Sequence, residues 1–228
     1  MSIHTTSFAE VTDPGMYSID EAAKLAMLLM AEGQRIPERC ALALQGEPPP
    51  DNGRAERMLE LLPRIASRER LLPLLDRVLP SSNTRIRSKA WKLYASASAD
   101  LSWALALVED KDSRVAANVV EALWRAKPTE ELREIFRRAA MQRRNRVAGN
   151  GLVGLFGAND ADAPDIATQM TRDTDAAFRA TAAWTIGRVY WEEGAEILRE
   201  MRGDQSAKVR LNAERSLIRL ARRFAAAS

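Results

Sequence analysis

One tryptophan and four arginines are the residues of this chain best suited to hold a binding partner. Trp184, Arg125, Arg188, Arg215 and Arg219 stand six or ten residues after an apolar position that returns along the chain. Tryptophan and arginine are the side chains that most often dominate the energetics of protein interfaces. We therefore expect this set to bind another protein, through an acidic or extended segment, on the inner face of a helical array.

Asparagine recurs three residues after the same apolar position, at Asn118, Asn150 and Asn212. Asparagine is unfavourable inside a helix unless its amide has a partner, so this repetition indicates a defined contact. Two interpretations stay open: each amide binds the backbone of a neighbouring repeat, or the amides together grip the backbone of an extended peptide. All three asparagines belong to the predicted partner-binding set.

Residues for catalysis or metal binding are scarce. The only histidine is His4 and the only cysteine is Cys40, which disfavours histidine-based acid–base relays and a zinc site of the usual kind. Asp160, Asp162 and Asp165 lack the glycine and the distant glutamate of a calcium-binding loop. We predict a protein that is not an enzyme, with no catalytic residues, no metal and no cofactor.

The apolar position that sets this spacing occurs five times. It is occupied by Ile86, Val115, Val147, Phe178 and Val209, whose numbers differ by 29, 32, 31 and 31. Self-similarity at such a period is typical of a solenoid, in which supersecondary units stack side by side. We use these five residues as markers of the repeats.

Each repeat is predicted to be a pair of helices. Small or apolar residues follow the marker by 4, 8 and 11 positions, and these offsets share one face of a helix with about 3.6 residues per turn. The small residue at offset 4 predicts a close approach of a neighbouring backbone. Three residues before the marker, four repeats carry an N-capping residue for the second helix: Asn83, Asp112, Asp175 and Ser206.

The start of the second helix carries a motif of an acidic turn, then valine and arginine, then a small residue and leucine. Its clearest copies are Asp112-Ser113-Arg114-Val115 with Ala122-Leu123, and Ala207-Lys208-Val209-Arg210 with Asn212-Ala213 and Leu217. The pattern resembles the HEAT-repeat family, in particular the short HEAT-like repeats of bacterial proteins and bilin lyases, over about residues 68–223. In the third repeat, Gln142-Arg143-Arg144 replaces the acidic turn.

This resemblance implies an all-α, right-handed α-solenoid of about five to six helical hairpins. It favours a protein–protein interaction scaffold or adaptor, while two other functions stay open. One is nucleic-acid binding similar to HEAT-like DNA glycosylases, with the four arginines on phosphates and Trp184 against a base; Glu121 would then be the only acid at the inward positions. The other is an accessory role in bilin attachment.

The N-terminal region differs from the repeats. We predict a flexible tail at residues 1–17, a helical cap or degenerate repeat at 18–66 with a proline-rich loop at 46–53, and the HEAT-like solenoid at 67–228. Residues 1–53 contain three basic and eight acidic residues, a net charge of 3 − 8 = −5, and the remainder contains 31 basic and 23 acidic residues, a net charge of 31 − 23 = +8. The repeats therefore hold the surplus of positive charge that could attract an acidic partner.

No apolar run approaches the ~20 residues that a helix needs to span a bilayer. The N-terminus lacks the charged start and apolar block of a secretory signal, and a lone cysteine fits a reducing compartment. We therefore expect a cytoplasmic protein that does not associate with membranes.

Overall fold

The computed structural model describes residues 6–227 of the chain, and regular secondary structure within this range is entirely helical. A single 3-10 turn, Leu123–Arg125, follows the eighth helix. The helices are α1 (Phe8–Val11), α2 (Ile19–Ala31), α3 (Ile36–Gln45), α4 (Asn52–Ile65), α5 (Arg68–Asp76), α6 (Thr84–Ala97), α7 (Ala104–Val108), α8 (Ser113–Ala122), α9 (Glu130–Ala140), α10 (Asn145–Gly157), α11 (Ala163–Thr171), α12 (Ala176–Ile186), α13 (Gly194–Met201) and α14 (Ala207–Ala227).

The helices form two compact units, Met1–Asp100 and Leu101–Ser228. In the first unit α4 packs against α2, α3, α5 and α6, around fully buried side chains such as Leu61, Leu62 and Leu75. The sequence suggested a division after residue 66, whereas the compact units divide after Asp100. The reason is that α4, in the predicted cap, shares its core with the first predicted repeat, α5 and α6.

The segment before α2 is packed in the first unit from residue 6 onward. Val11 is fully buried, and Phe8 packs against the same core. The buried Arg57 of α4 donates hydrogen bonds to the carbonyl oxygens of Pro14 and Tyr17. The predicted flexible tail is therefore replaced, over residues 6–17, by a short helix and an anchored turn; His4 lies outside the described residues.

The second unit is a stack of four helical pairs: α7 with α8, α9 with α10, α11 with α12, and α13 with α14. The second helices of these pairs lie side by side, because α8 packs on α10, α10 on α12, and α12 on α14. Together with the pair α5 and α6, these are the five predicted repeats. The prediction of an all-α repeat solenoid is confirmed.

The five markers are the buried residues on which the second helices pack. Their exposed fractions are 0–6%: Ile86 1%, Val115 0%, Val147 0%, Phe178 6% and Val209 0%. Each marker is the first residue of the apolar face of its helix. The buried residues therefore recur along the chain with the same period as the sequence pattern.

Side chains at the turns begin most of the second helices as predicted. Asn83, Asp112 and Asp175 each accept a backbone N–H from the first turn of the following helix. At the third repeat Arg144 occupies the N-cap position and provides no such bond. Its guanidinium instead donates to the carbonyl oxygens of Val108 and Asp110, and so links this turn to the end of α7.

Arginine–aspartate pairs also join consecutive turns of the second unit. Arg179 makes two hydrogen bonds to Asp204, of 2.7 and 2.9 Å, and Arg143 binds Asp173 at 2.6 Å. Hydrogen bonding from the arginine is the main cause that lowers the pKa of each aspartate below its ordinary value. The paired aspartates therefore favour folding only while they are ionised.

Replacing Asp204 with asparagine should make the free energy of unfolding less dependent on pH in the acidic range. The pKa of Asp204 is lower in the folded chain, so its contribution is full above the unfolded pKa and is lost as the pH falls through the folded value, below about pH 4. Urea midpoints measured across a pH series would show wild type losing more stability on acidification than Asp204→Asn. The exposed Glu200→Gln is the control, and equal acid limbs for Asp204→Asn and wild type would contradict the linkage.

Glycines on α10 allow its neighbours to come close. A Cβ on Gly151 would clash with the backbone of α9, at Ala140 N, and would lie 2.7 Å from Phe136 O. Gly151 stands four residues after the marker Val147, so this contact between α9 and α10 is the close backbone approach predicted at offset 4. Gly149 faces the side chain of Thr181 on α12, whereas a Cβ on Gly157 would meet no atom within 4 Å.

Among the described residues, no helix combines the length and the apolar character required to cross a bilayer.

Gly151→Ala should destabilise the second unit, whereas Gly157→Ala should not. The methyl group added at position 151 would clash with the backbone of α9, which cannot move aside by a change of rotamer. Overpacking of this kind typically lowers the free energy of unfolding by about 1–3 kcal/mol. At position 157 there is open space, and alanine favours helix by up to about 1 kcal/mol. Chemical denaturation followed by circular dichroism measures both, and equal stability of the two variants would refute the close approach.

Candidate functional site

A cavity of about 420 Å³ opens on the face of the second unit formed by its second helices. It brings together four residues of the predicted binding set: Trp184, Arg188, Asn150 and Asn212. We call this cavity the Trp184 groove. Its lining consists of Glu121, Trp124, Asn145, Arg146, Asn150, Ala180, Thr181, Trp184, Arg188, Lys208 and Asn212.

Helical periodicity explains why these side chains share one face. At about 100° per residue, positions 1 before and 3, 6 and 10 after a marker fall within about 60° of one another. They lie beside the buried face that carries the markers. On α14 these positions are Lys208, Asn212, Arg215 and Arg219, so one face of this helix is polar and cationic along its length.

Trp184 is the aromatic centre of the groove. The guanidinium of Arg188 lies over its ring, with Cζ 4.2 Å from the ring centroid, and the ring of Trp124 is 6.5 Å away at 46°. The sequence predicted an exposed Trp184, but the residue is half-buried, because Arg188 and Trp124 cover part of it. Trp124 is itself fixed by a 2.8 Å hydrogen bond from its Nε1 to the carbonyl oxygen of Asn150.

Two of the three asparagines tie neighbouring repeats together. Asn150 Nδ2 donates to the carbonyl oxygen of Ala117 at 2.7 Å, and Asn212 Nδ2 donates to that of Ala180 at 2.8 Å. This is the structural interpretation of the asparagine series. An amide has two N–H groups and an oxygen, so each side chain keeps a donor and an acceptor after this bond.

The other predicted residues lie outside the groove. Asn118 accepts a 2.8 Å bond from Arg146 and is not part of the lining. Arg125 is exposed in the turn after α8. Arg215 and Arg219 line a second groove, of about 480 Å³, which we call the α14 groove; its other lining residues are Ile218, Arg222 and Arg223.

Sequence reasoning missed three polar residues of the Trp184 groove: Asn145, Arg146 and Lys208. They belong to the first turns of α10 and α14. A signal was present, because a basic residue stands one position before the marker in four of the five repeats: Arg85, Arg114, Arg146 and Lys208. That position falls on the same helical face as offsets 3, 6 and 10.

The groove has a positive balance. Its bases are Arg146, Arg188 and Lys208, and its one acid is Glu121. Arg146 lies 3.7 Å from Glu121, while no ion pair to a described carboxylate is formed by Arg188 or Lys208. Partial burial is the main cause that lowers the pKa of Arg188, and nearby Arg219 lowers it further. An anionic group next to the tryptophan face would relieve this repulsion.

Asp160 has a structural partner. Its carboxylate pairs with Arg137 at 2.7 Å and accepts the backbone N–H of Asp162 at 3.0 Å. Within residues 6–227, no group of three or more histidine, cysteine, aspartate or glutamate side chains is arranged to hold a metal ion.

No protein-family model and no curated protein matches the chain. Among solved structures, a designed armadillo repeat protein is similar over 93% of this chain and 99% of its own length, with 13% sequence identity and a TM-score of 0.41. The helical-repeat fold is established by the packing of this chain's own helices.

Asn150→Ala should destabilise the second unit by about 1–3 kcal/mol, because it leaves the carbonyl oxygen of Ala117 without its buried donor. Asn118→Ala, at the half-buried residue of the same series, should cost less. Urea denaturation of both variants measures the difference. If Asn150→Ala proved as mild as Asn118→Ala, the buried amide would not hold α8 and α10 together.

Proposed function

We propose that this chain is a non-enzymatic adaptor with HEAT-like repeats, which binds an extended acidic segment of another protein in the Trp184 groove. One observation carries the proposal. Trp184 lies beneath the guanidinium of Arg188 in a groove whose cations outnumber its acids. Such a site offers an aromatic surface and charged donors at the same point, the combination that dominates protein interfaces.

The distribution of charge in the second unit supports an acidic partner. In the four repeats of this unit, the positions 1 before and 3, 6 and 10 after the marker hold seven basic residues and one acid, Glu121. The rest of residues 101–228 hold 14 basic and 17 acidic residues. The positive surplus of this unit is therefore concentrated on one face. The basic residues of the face are Arg114, Arg125, Arg146, Arg188, Lys208, Arg215 and Arg219.

The groove would bind such a segment at low ordering cost. Trp124 is held by its bond to Asn150, and the amides of Asn150 and Asn212 are held by backbone carbonyl oxygens. In this proposal carboxylates of the segment meet Arg188 and Lys208, while its backbone meets the remaining amide groups. Side chains that are already fixed lose little conformational freedom on binding.

Binding of a fluorescein-labelled degenerate peptide library, built from Asp, Glu and apolar residues, tests this function. Fluorescence anisotropy should show binding by the full chain, and Trp184→Ala and Arg188→Ala should each weaken it about tenfold or more. A library with Lys and Arg in place of the acids should not bind.

The matched control is Arg172→Ala, which removes one positive charge from an exposed arginine outside the groove. It should leave binding unchanged. Circular dichroism would establish that Trp184→Ala remains helical, and Arg188→Ala tests the site without removing the aromatic ring. Equal binding by wild type, Trp184→Ala and Arg188→Ala would exclude the groove as the docking site.

Nucleic-acid binding is the alternative outcome of the same measurement. It would appear as binding of single-stranded DNA whose affinity falls steeply with salt. Two features favour the peptide. On α10 the groove-face positions 6 and 10 after the marker are Val153 and Gly157, so the cations do not form an unbroken track. Arg146 is already partly neutralised by Glu121.

A further inference from the structure

Arginines of the second unit fall into two groups. On the turns and first helices most have a carboxylate partner, as in Arg137 with Asp160 at 2.7 Å and Arg143 with Asp173 at 2.6 Å. On the groove face near the end of α14 they do not. Within the described residues, no carboxylate forms an ion pair with any of Arg188, Arg215, Arg219, Arg222 and Arg223.

This unpaired group is costly for the isolated chain. Arg215, Arg219 and Arg223 follow one another at intervals of four residues, so they form a column of like charges on α14. Like charges at this spacing destabilise a helix. The helix dipole does not explain the column, because Arg215 and Arg219 lie more than two turns before Ala227, where α14 ends.

Three of these arginines line neighbouring grooves: Arg188 lines the Trp184 groove, and Arg219 and Arg223 line the α14 groove. Arg223 Nη1 donates a 2.7 Å hydrogen bond to the carbonyl oxygen of Arg188, which brings α14 against the end of α12. Arg188 is held on the ring of Trp184, and Arg219 precedes Arg223 by one helical turn. Both Arg219 and Arg223 contribute to lowering the pKa of Arg188, in keeping with this proximity.

We propose that Arg188, Arg219 and Arg223 form a subsite for a phosphoryl dianion carried by the acidic segment, so that the preferred partner is a phosphorylated polypeptide. This proposal rests on the proposed function, because the Trp184 groove holds the rest of the segment. A phosphate monoester presents about two negative charges and three acceptor oxygens, and a guanidinium can bind two of these oxygens at once. A single carboxylate would leave part of the cluster unneutralised.

The cluster is compact, and that favours a phosphorylated side chain over a nucleic-acid backbone. A strand of DNA or RNA presents a phosphate at every nucleotide and needs cations along its whole path. Here the three guanidinium groups of the proposed subsite belong to α14 and to the end of α12, while α10 offers Val153 and Gly157 at the equivalent positions.

Three versions of the degenerate acidic library test this subsite. They carry serine, phosphoserine or aspartate at one fixed central position and are otherwise identical. With the full chain, the phosphoserine library should bind about tenfold more tightly than the serine library, and aspartate should restore only a small part of that gain.

Variants then separate the phosphoryl subsite from the groove. Arg219→Ala and Arg223→Ala should abolish the gain in affinity from serine to phosphoserine, and they should weaken binding of the serine library less than Trp184→Ala does. Arg219→Lys should recover part of the gain, because lysine keeps the charge but not the two-point geometry. Trp184→Ala should weaken all three libraries, and Arg172→Ala should weaken none.

Each result assigns the failure to one proposal. Equal affinity for the serine and phosphoserine libraries, both dependent on Trp184, would overturn the phosphoryl subsite and leave the adaptor function standing. Binding of none of the libraries would overturn both. Stronger, salt-sensitive binding of single-stranded DNA, lost in Arg219→Ala and Arg223→Ala, would assign the cluster to nucleic acid instead.

Discussion

The close packing of α10 against its neighbours is the constraint on which the second unit depends. Gly151 lets the backbone of α9 contact α10, and Gly149 lets Thr181 of α12 approach from the other side. The bonds from Asn150 to Ala117 and from Trp124 to Asn150 join α10 to the preceding repeat. A larger residue at these glycines would separate the helices that hold the aromatic pair in place. The packing of the helix backbones therefore determines where the side chains of the Trp184 groove lie.

Arginine has two roles in this unit, and pairing distinguishes them. Arg143, in the turn before α10, and Arg179, in the first helical turn of α12, are each neutralised by an aspartate in the turn of the next helical pair. Arg188 has an aromatic ring beneath it and other arginines nearby. A charge that is already satisfied contributes to folding, whereas a charge without a counterion leaves binding free energy for a ligand. Composition alone cannot separate these roles, because both contribute equally to net charge.

The architecture could be predicted because it follows from local rules. The markers, the N-caps at Asn83, Asp112 and Asp175, and the small residue at offset 4 all depend on helical periodicity and turn chemistry. The site was harder to predict, because the packing of one repeat on the next determines which face of each helix remains accessible to a partner. Trp184 is half-buried because Trp124 arrives from another repeat, and Lys208 faces the groove from a helix end. The packed segment at residues 6–17 depends on Arg57, far away in sequence.

The link between Arg57 and the N-terminal turn differs chemically from the arginine–aspartate pairs of the repeats. Its acceptors are the peptide oxygens of Pro14 and Tyr17, so no carboxylate takes part in this link. Acid below about pH 4 therefore removes the charge that joins Asp204 to Arg179, yet it leaves this anchor, which contains no carboxylate, intact. Strong acid should therefore weaken the link between Arg179 and Asp204 in the second unit, while the bonds from Arg57 to the N-terminal turn persist.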